Sequence, residues 1–92
     1  MKKTRSHRTP TIRDRKRFQS LLPRLVDGSR WTVETERRGW RVRQVWDVGK
    51  TTKSIRRLWL RWPVWNLMKE RYSPPEIAAI LREKLAPVSA AV

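Results

Sequence analysis

The sequence predicts an α+β fold: a small two- or three-stranded antiparallel sheet packed on C-terminal helices, led by a disordered basic N-terminal arm. Three observations carry that expectation. The stretch "GWRVRQVWDVGK", residues 39–50, alternates by side-chain type. Trp40, Val42, Trp46 and Val48 share one parity, with Gln44 as the exception, and Arg41 and Arg43 share the other. A period of two describes a strand with one buried face. Further on, "SPPEIAAILREKLA" combines Ser73 as an N-cap, Pro74 in the first turn and Glu76 at the capping-box position, followed by Ile77, Ile80, Leu81 and Leu85 at helical spacing. Finally, eight of the first 17 residues are Lys or Arg, and only Asp14 opposes them.

Taken in chain order, residues 1–17 read as a flexible basic arm. Its cations are Lys2, Lys3, Arg5, Arg8, Arg13, Arg15, Lys16 and Arg17. Apart from Met1, Ile12 is its only large apolar residue. A segment with so little to bury stays disordered until a partner neutralises it. Residues 18–92 form one small domain. In "FQSLLPRLV", residues 18–26, Phe18, Leu21, Leu22 and Leu25 have helical spacing, but Pro23 opposes one continuous helix. A short helix or turn there pins the arm to the core. Asp27-Gly28-Ser29 reads as a turn.

Residues 30–48 read as a β-hairpin. Trp31 and Val33 alternate with Thr32 and Glu34, and "ERRG", Glu36 to Gly39, connects the strands, with Gly39 free to take a positive φ. "GKTTKS", residues 49–54, is the next turn. Its Gly-Lys-Thr matches the end of a phosphate-binding loop, but that motif needs a glycine five residues before the Gly-Lys, where Gln44 stands. Nucleotide hydrolysis is therefore not expected. "IRRLWLRW", residues 55–62, fits a strand or a helix. As a strand, Ile55, Arg57, Trp59 and Arg61 face one way and Arg56, Leu58 and Leu60 the other; as a helix, Ile55, Leu58, Trp59 and Trp62 form a stripe. Its length and aromatic content favour a third strand, so the sheet covers about residues 30–61. Pro63 then opens a helix whose stripe is Val64, Leu67, Met68 and Tyr72. The two helices cover about residues 63–72 and 74–86.

Charge dominates the functional reading. The chain has 23 Lys and Arg against 8 Asp and Glu, a net +15. That exceeds the magnitude of about 2 to 8 that keeps a small domain soluble, so a polyanionic partner is expected, DNA or RNA before an anionic membrane surface. From Arg37 to Arg61 the bases are Arg37, Arg38, Arg41, Arg43, Lys50, Lys53, Arg56, Arg57 and Arg61, against Asp47 alone. From Trp62 onward, Lys69, Arg71, Arg82 and Lys84 face Glu70, Glu76 and Glu83. The arm and the sheet thus carry the excess, and the closing helices brace them. Arginines on the outer sheet face and in its turns would take phosphates, since the guanidinium forks onto phosphate or a guanine edge. The six tryptophans lie between residues 31 and 65. Trp31, Trp40 and Trp46 are expected in the core; Trp59, Trp62 and Trp65 would meet either the core or a partner.

Other chemistry finds little support. There is no cysteine, so disulfides and thiolate metal sites are excluded, which suits an intracellular protein. His7, the one histidine, lies in the basic arm, and the carboxylates are scattered. Neither catalysis nor a metal or other cofactor is expected. No apolar run reaches the length of a membrane span, and none follows the basic start as in a secretory signal. An acid-poor basic start also fits an organelle import peptide.

The order of basic arm, "WTVETERRGWRVRQV", Gly-Lys turn, basic third strand and helix resembles the arm-type DNA-binding domain of phage and transposon tyrosine recombinases, over roughly residues 1–60. The resemblance implies a three-stranded antiparallel sheet on a helix, Arg41 and Arg43 facing the major groove, and Lys2 to Arg8 as a tail. It also implies an accessory DNA-binding role, since the family's catalytic domain has no counterpart in this sequence. Two helices after Pro63 depart from the family's one. A ribonucleoprotein component fits the composition as well. Two other classes compete: a protein-interaction subunit, such as a phage-type inhibitor or assembly factor, docking on an acidic surface, and a peripheral membrane protein anchored by the Trp/Arg segment 56–65.

Overall fold

The computed structural model describes residues 8–87. In chain order the elements are α1 (Ile12–Leu21), β1 (Arg30–Thr35), β2 (Gly39–Val48), β3 (Thr51–Arg61), α2 (Trp62–Arg71), α3 (Pro74–Lys84) and β4 (Ala86–Pro87). The class is α+β, an open antiparallel sheet in the order β1-β2-β3-β4 with three helices.

The alternation read in β2 sorts the sheet into two faces. Cross-strand partners share a face, so the register places Thr35, Trp40 and Leu60 in one row and Val33, Val42 and Leu58 in the next. These rows form the covered face. Their apolar residues join Phe18, Leu22, Trp62, Trp65, Met68, Ile77, Leu81 and Leu85 in one core. Trp40 is its centre. Phe18 stacks on it at 4.5 Å between ring centroids, and Trp62 and Trp65 meet it edge-on at 5.1 and 5.3 Å. Offset and edge contacts of this kind add to the area that each ring buries.

Residues 55–62 resolve as a strand through Arg61, with Leu58 and Leu60 buried and Arg57, Trp59 and Arg61 exposed. A bulge between Gln44 and Val45 leaves Ile55 as the extra residue of β3, since Gln44 faces Arg56 and Val45 faces Ser54.

Several boundaries differ from the sequence reading. Residues 12–17, assigned to the flexible arm, instead begin α1. Thr11 and Asp14 close a capping box, and Phe18 is fully buried one turn later. Three local hydrogen bonds and one aromatic anchor thus order a segment that is otherwise cationic. The segment before it is tied too, because the Asn66 side chain donates to the Arg8 carbonyl at 3.0 Å. Pro23 ends α1, as expected.

Gly39 does not take a positive φ; Gly28 and Gly49 do. Gly39 is needed for another reason: a Cβ there would collide with the Leu60 carbonyl oxygen across the ladder. The turn expected over residues 49–54 shrinks to Gly49-Lys50, with Val48 paired to Thr51. A positive φ of 62° at Gly49 permits so short a connection. In α2 the buried positions are Trp62, Trp65, Asn66 and Met68, while Leu67 and Tyr72 are exposed. The indoles set the phase of that helix, one step from the aliphatic stripe. In α3 the expected stripe faces inward, and the Ser73 amide donates to Glu76 at 2.8 Å.

Candidate nucleic-acid interface

All three helices contribute to the core on one side of the sheet, which leaves the other side open. The open face carries Glu34, Arg41 and Trp59 in one row and Thr32, Arg43 and Arg57 in the next. Arg41 and Arg57 are exposed and Arg43 is half-buried, so the paired arginines of β2 point away from the core. Arg41, Arg43, Arg57 and Trp59, with Glu34 and Ser54, line an open depression of about 740 Å³. The Arg41 guanidinium lies 5.4 Å from the Trp59 ring centroid.

These arginines are not equally available. Arg41 forks onto Glu36 at 2.7 and 3.2 Å. Arg43 lies 3.8 Å from Glu34, and Arg30 forks onto Asp47 at 2.9 and 3.1 Å. The hydrogen bond from Arg41 holds the Glu36 carboxyl below its ordinary range. Those from Arg30 and Thr52 do the same for Asp47. Counting charge along the chain misses this, because the hairpin brings Glu34 of β1 to Arg43 of β2, Asp47 of β2 to Arg30 of β1, and Glu36, just beyond β1, to Arg41. Both members of each pair are solvent-accessible, so a stronger anion can exchange with the carboxylate.

A second group forms at one end of the sheet. Arg37, Arg38 and Arg61 line a cavity of about 440 Å³ with Thr9, Trp62 and Pro63. Trp62 builds it: its indole N–H donates to the Arg37 carbonyl and its amide to the Arg38 carbonyl, both at 3.0 Å. The turn's backbone is thereby fixed and its side chains project outward. Among the described residues, Arg37, Arg38, Arg57 and Arg61 have no carboxylate partner. Lys50 and Lys53, equally unpaired, sit at the β2–β3 hairpin tip. On the surface of α1, Arg13, Lys16 and Arg17 are exposed at i, i+3 and i+4.

Two expected contact residues belong to the scaffold instead. Arg15 donates to the Val33 carbonyl at 2.6 Å and to the Thr35 hydroxyl at 3.1 Å. It thereby satisfies the outer edge of β1, whose other edge pairs with β2. Arg56 lies on the covered side, donating to Gln44 and packing 5.5 Å from the Trp31 ring centroid. Gln44 in turn donates to Ser29 at 2.9 Å, and the Ser29 hydroxyl donates to Asp27. The polar exception in the β2 alternation is thus a buried residue whose amide is satisfied on both atoms. Lys2, Lys3 and Arg5 lie outside the described residues.

The tryptophans also divide differently from expectation. Trp40, Trp62 and Trp65 are buried and Trp31 packs on the core, but Trp46 is 43% exposed because the hairpin tip extends past the core. With Trp62 and Trp65 inside, segment 56–65 presents no continuous aromatic face for a membrane. No helix of the described residues is long and apolar enough to cross one. No protein-family model, curated protein or solved structure matches the chain.

Proposed function

We propose that this chain is a small non-enzymatic nucleic-acid-binding protein that acts inside the cell, without a cofactor. The observation that carries the reading is the bare sheet face with its arginine rim. Among the described residues, Arg57 on the open face and Arg61, Arg37 and Arg38 at its end have no carboxylate partner. Arg41 and Arg43 stand behind them in reserve, held by exchangeable carboxylates. A sheet held by an aromatic core fixes the backbone from which these groups project, so that only their side chains have to be ordered on binding. Lys50, Lys53 and the α1 stripe add charge at the periphery. The resemblance of roughly residues 1–60 to arm-type DNA-binding domains supports the same reading. An accessory DNA-binding factor and a ribonucleoprotein component both fit this basic surface.

Mobility-shift titrations with duplex DNA, single strands and structured RNA across a salt series test it. If six to ten phosphates are neutralised, affinity falls about 10³- to 10⁵-fold between 50 and 200 mM salt. A slope near zero would reject every phosphate-based mode at once. The pair Arg37→Ala and Arg38→Ala should lower the slope by about two, one for each phosphate contact.

A further inference from the structure

We infer that the open sheet face takes an unpaired RNA strand, with one base stacked on Trp59 and the phosphodiesters carried by the flanking arginines. This rests on the nucleic-acid reading above and names its substrate class.

Trp59 differs from the other tryptophans. Trp31, Trp46 and Trp62 each donate the indole N–H to a backbone carbonyl, of Pro23, Asp27 and Arg37 respectively. Trp40 and Trp65 are enclosed in the core. Trp59 does neither. It is 42% exposed, and among the described residues its only recorded partner is the Arg41 guanidinium. Arg57 and Arg61 flank it on the same face of β3, and two residues along an antiparallel strand advance about 7 Å. Arg57 and Arg61 bracket the indole along the strand and Arg41 lies over its ring, so a base stacks on the opposite face or displaces that guanidinium, with a phosphate before and after.

A duplex suits this face poorly. Its bases already stack on one another, so an indole gains no plane without intercalating. Glu34 and Glu36 would meet phosphate ribs as like charges, and with them the face has a modest positive balance. An unpaired strand instead brings hydrogen-bond donors on its exposed base edges and sugars. Glu34 shares the cross-strand row of Arg41 and Trp59, and Ser54 lines the same depression. Both can accept from base N–H groups and from the 2′-hydroxyl, a donor that DNA lacks.

Fluorescence anisotropy with a labelled RNA single strand, the DNA strand of the same sequence and the RNA duplex tests the assignment on wild type, Trp59→Ala and Trp59→Phe. Trp59→Ala should weaken single-strand RNA binding about 5- to 150-fold. Duplex binding and the salt slope should not move, because the indole is not a cation, and the melting temperature should fall by only a few degrees, the scale of one half-exposed cross-strand contact. Trp59→Phe should restore most of the affinity. Unchanged single-strand binding in Trp59→Ala, or an equal loss on duplex, overturns the stacking site. DNA binding as tight as RNA overturns the choice of RNA. Wild type that binds none of the three probes overturns the functional reading itself, a separate result.

Discussion

Neighbouring residues of β2 obey opposite rules. Trp40 and Val42 are buried among helices, while Arg41, between them, is exposed and Arg43 half-buried on the far side. On the covered side, two buried polar side chains close against the chain itself. Gln44 is held by Arg56 and Ser29, and the Trp62 indole by the Arg37 carbonyl. On the open side, cations are held by carboxylates that solvent also reaches. The first arrangement resists change and defines the fold. The second can be exchanged for a ligand at little cost, because each guanidinium leaves one anion for another. Substitutions on one face should therefore be read in folding, and those on the other in binding.

The largest expected effect lies at the centre of the covered face. Trp40→Ala removes the ring on which Phe18 stacks and which Trp62 and Trp65 meet edge-on. The cost should be about 3 to 5 kcal/mol. Small domains have about 5 to 15 kcal/mol in total, so urea denaturation should show a much earlier midpoint. A midpoint close to that of wild type would mean that the two faces do not divide the work in this way.

Arg15 and Arg13 sharpen the comparison within α1. Arg15 holds the β1 edge through Val33 and Thr35, whereas Arg13 is exposed and has no partner among the described residues. Arg15→Ala should destabilise by about 1.5 to 3 kcal/mol, the worth of hydrogen bonds from a charged group. Arg13→Ala should leave the midpoint in place and act, if at all, on nucleic-acid affinity. Equal effects from the two would remove the distinction between scaffold and contact cations.

That distinction marks where the sequence stops being legible. The period of two in β2, the capping residues of α3 and the alternation of β3 are local patterns, and the structure follows them. Arg15 and Arg56 sit in runs of like residues, and nothing local separates them from Arg13 or Arg57. Only the strand pairing shows that Arg56 faces Gln44 and that Glu34, opposite Arg41, reaches Arg43 on the diagonal. Thr11 and Asp14 did carry a readable signal for α1, a capping pair three residues apart, but the surrounding charge argued for disorder. Trp46 looked like core by parity alone. Parity assigns a face, and burial further depends on how far the helices extend along it.

Acid should weaken the join between α1 and α2. Lys69 contacts Asp14 at 2.9 Å. Burial raises the Asp14 pKa, but the hydrogen bonds from Lys69 and Thr11 and the Lys69 charge outweigh it, so the value falls below 3.8. The stability from this pair is fully present above pH 3.8 and is lost as pH falls through the lower folded value. Acid that protonates all eight carboxylates also charges His7, taking the net charge from +15 to +24. Asp14→Asn should cost roughly 1 kcal/mol at neutral pH. The gap to wild type should close in acid, and a gap that stays constant down to pH 2 would exclude the linkage.

The smallest expected effect on stability is the most informative about the open face. Glu36→Gln removes the carboxylate that Arg41 forks onto, and both side chains are solvent-accessible. The melting temperature should not change, since exposed ion pairs contribute little. Binding should tighten instead, because the guanidinium no longer has to leave a carboxylate before meeting a phosphate. If Arg41 then contacts one further phosphate, the salt slope should steepen by about one. The pH dependence has the same origin. The hydrogen bond from Arg41 keeps Glu36 ionised below its ordinary pKa of 4.5, so in wild type the carboxylate competes with phosphate for Arg41 until acid neutralises it, whereas in Glu36→Gln that competition is already gone at neutral pH. If Glu36→Gln binds like wild type at every salt concentration, Arg41 is not a reserve contact, and the interface contracts to Arg57 and the Arg37, Arg38 and Arg61 rim.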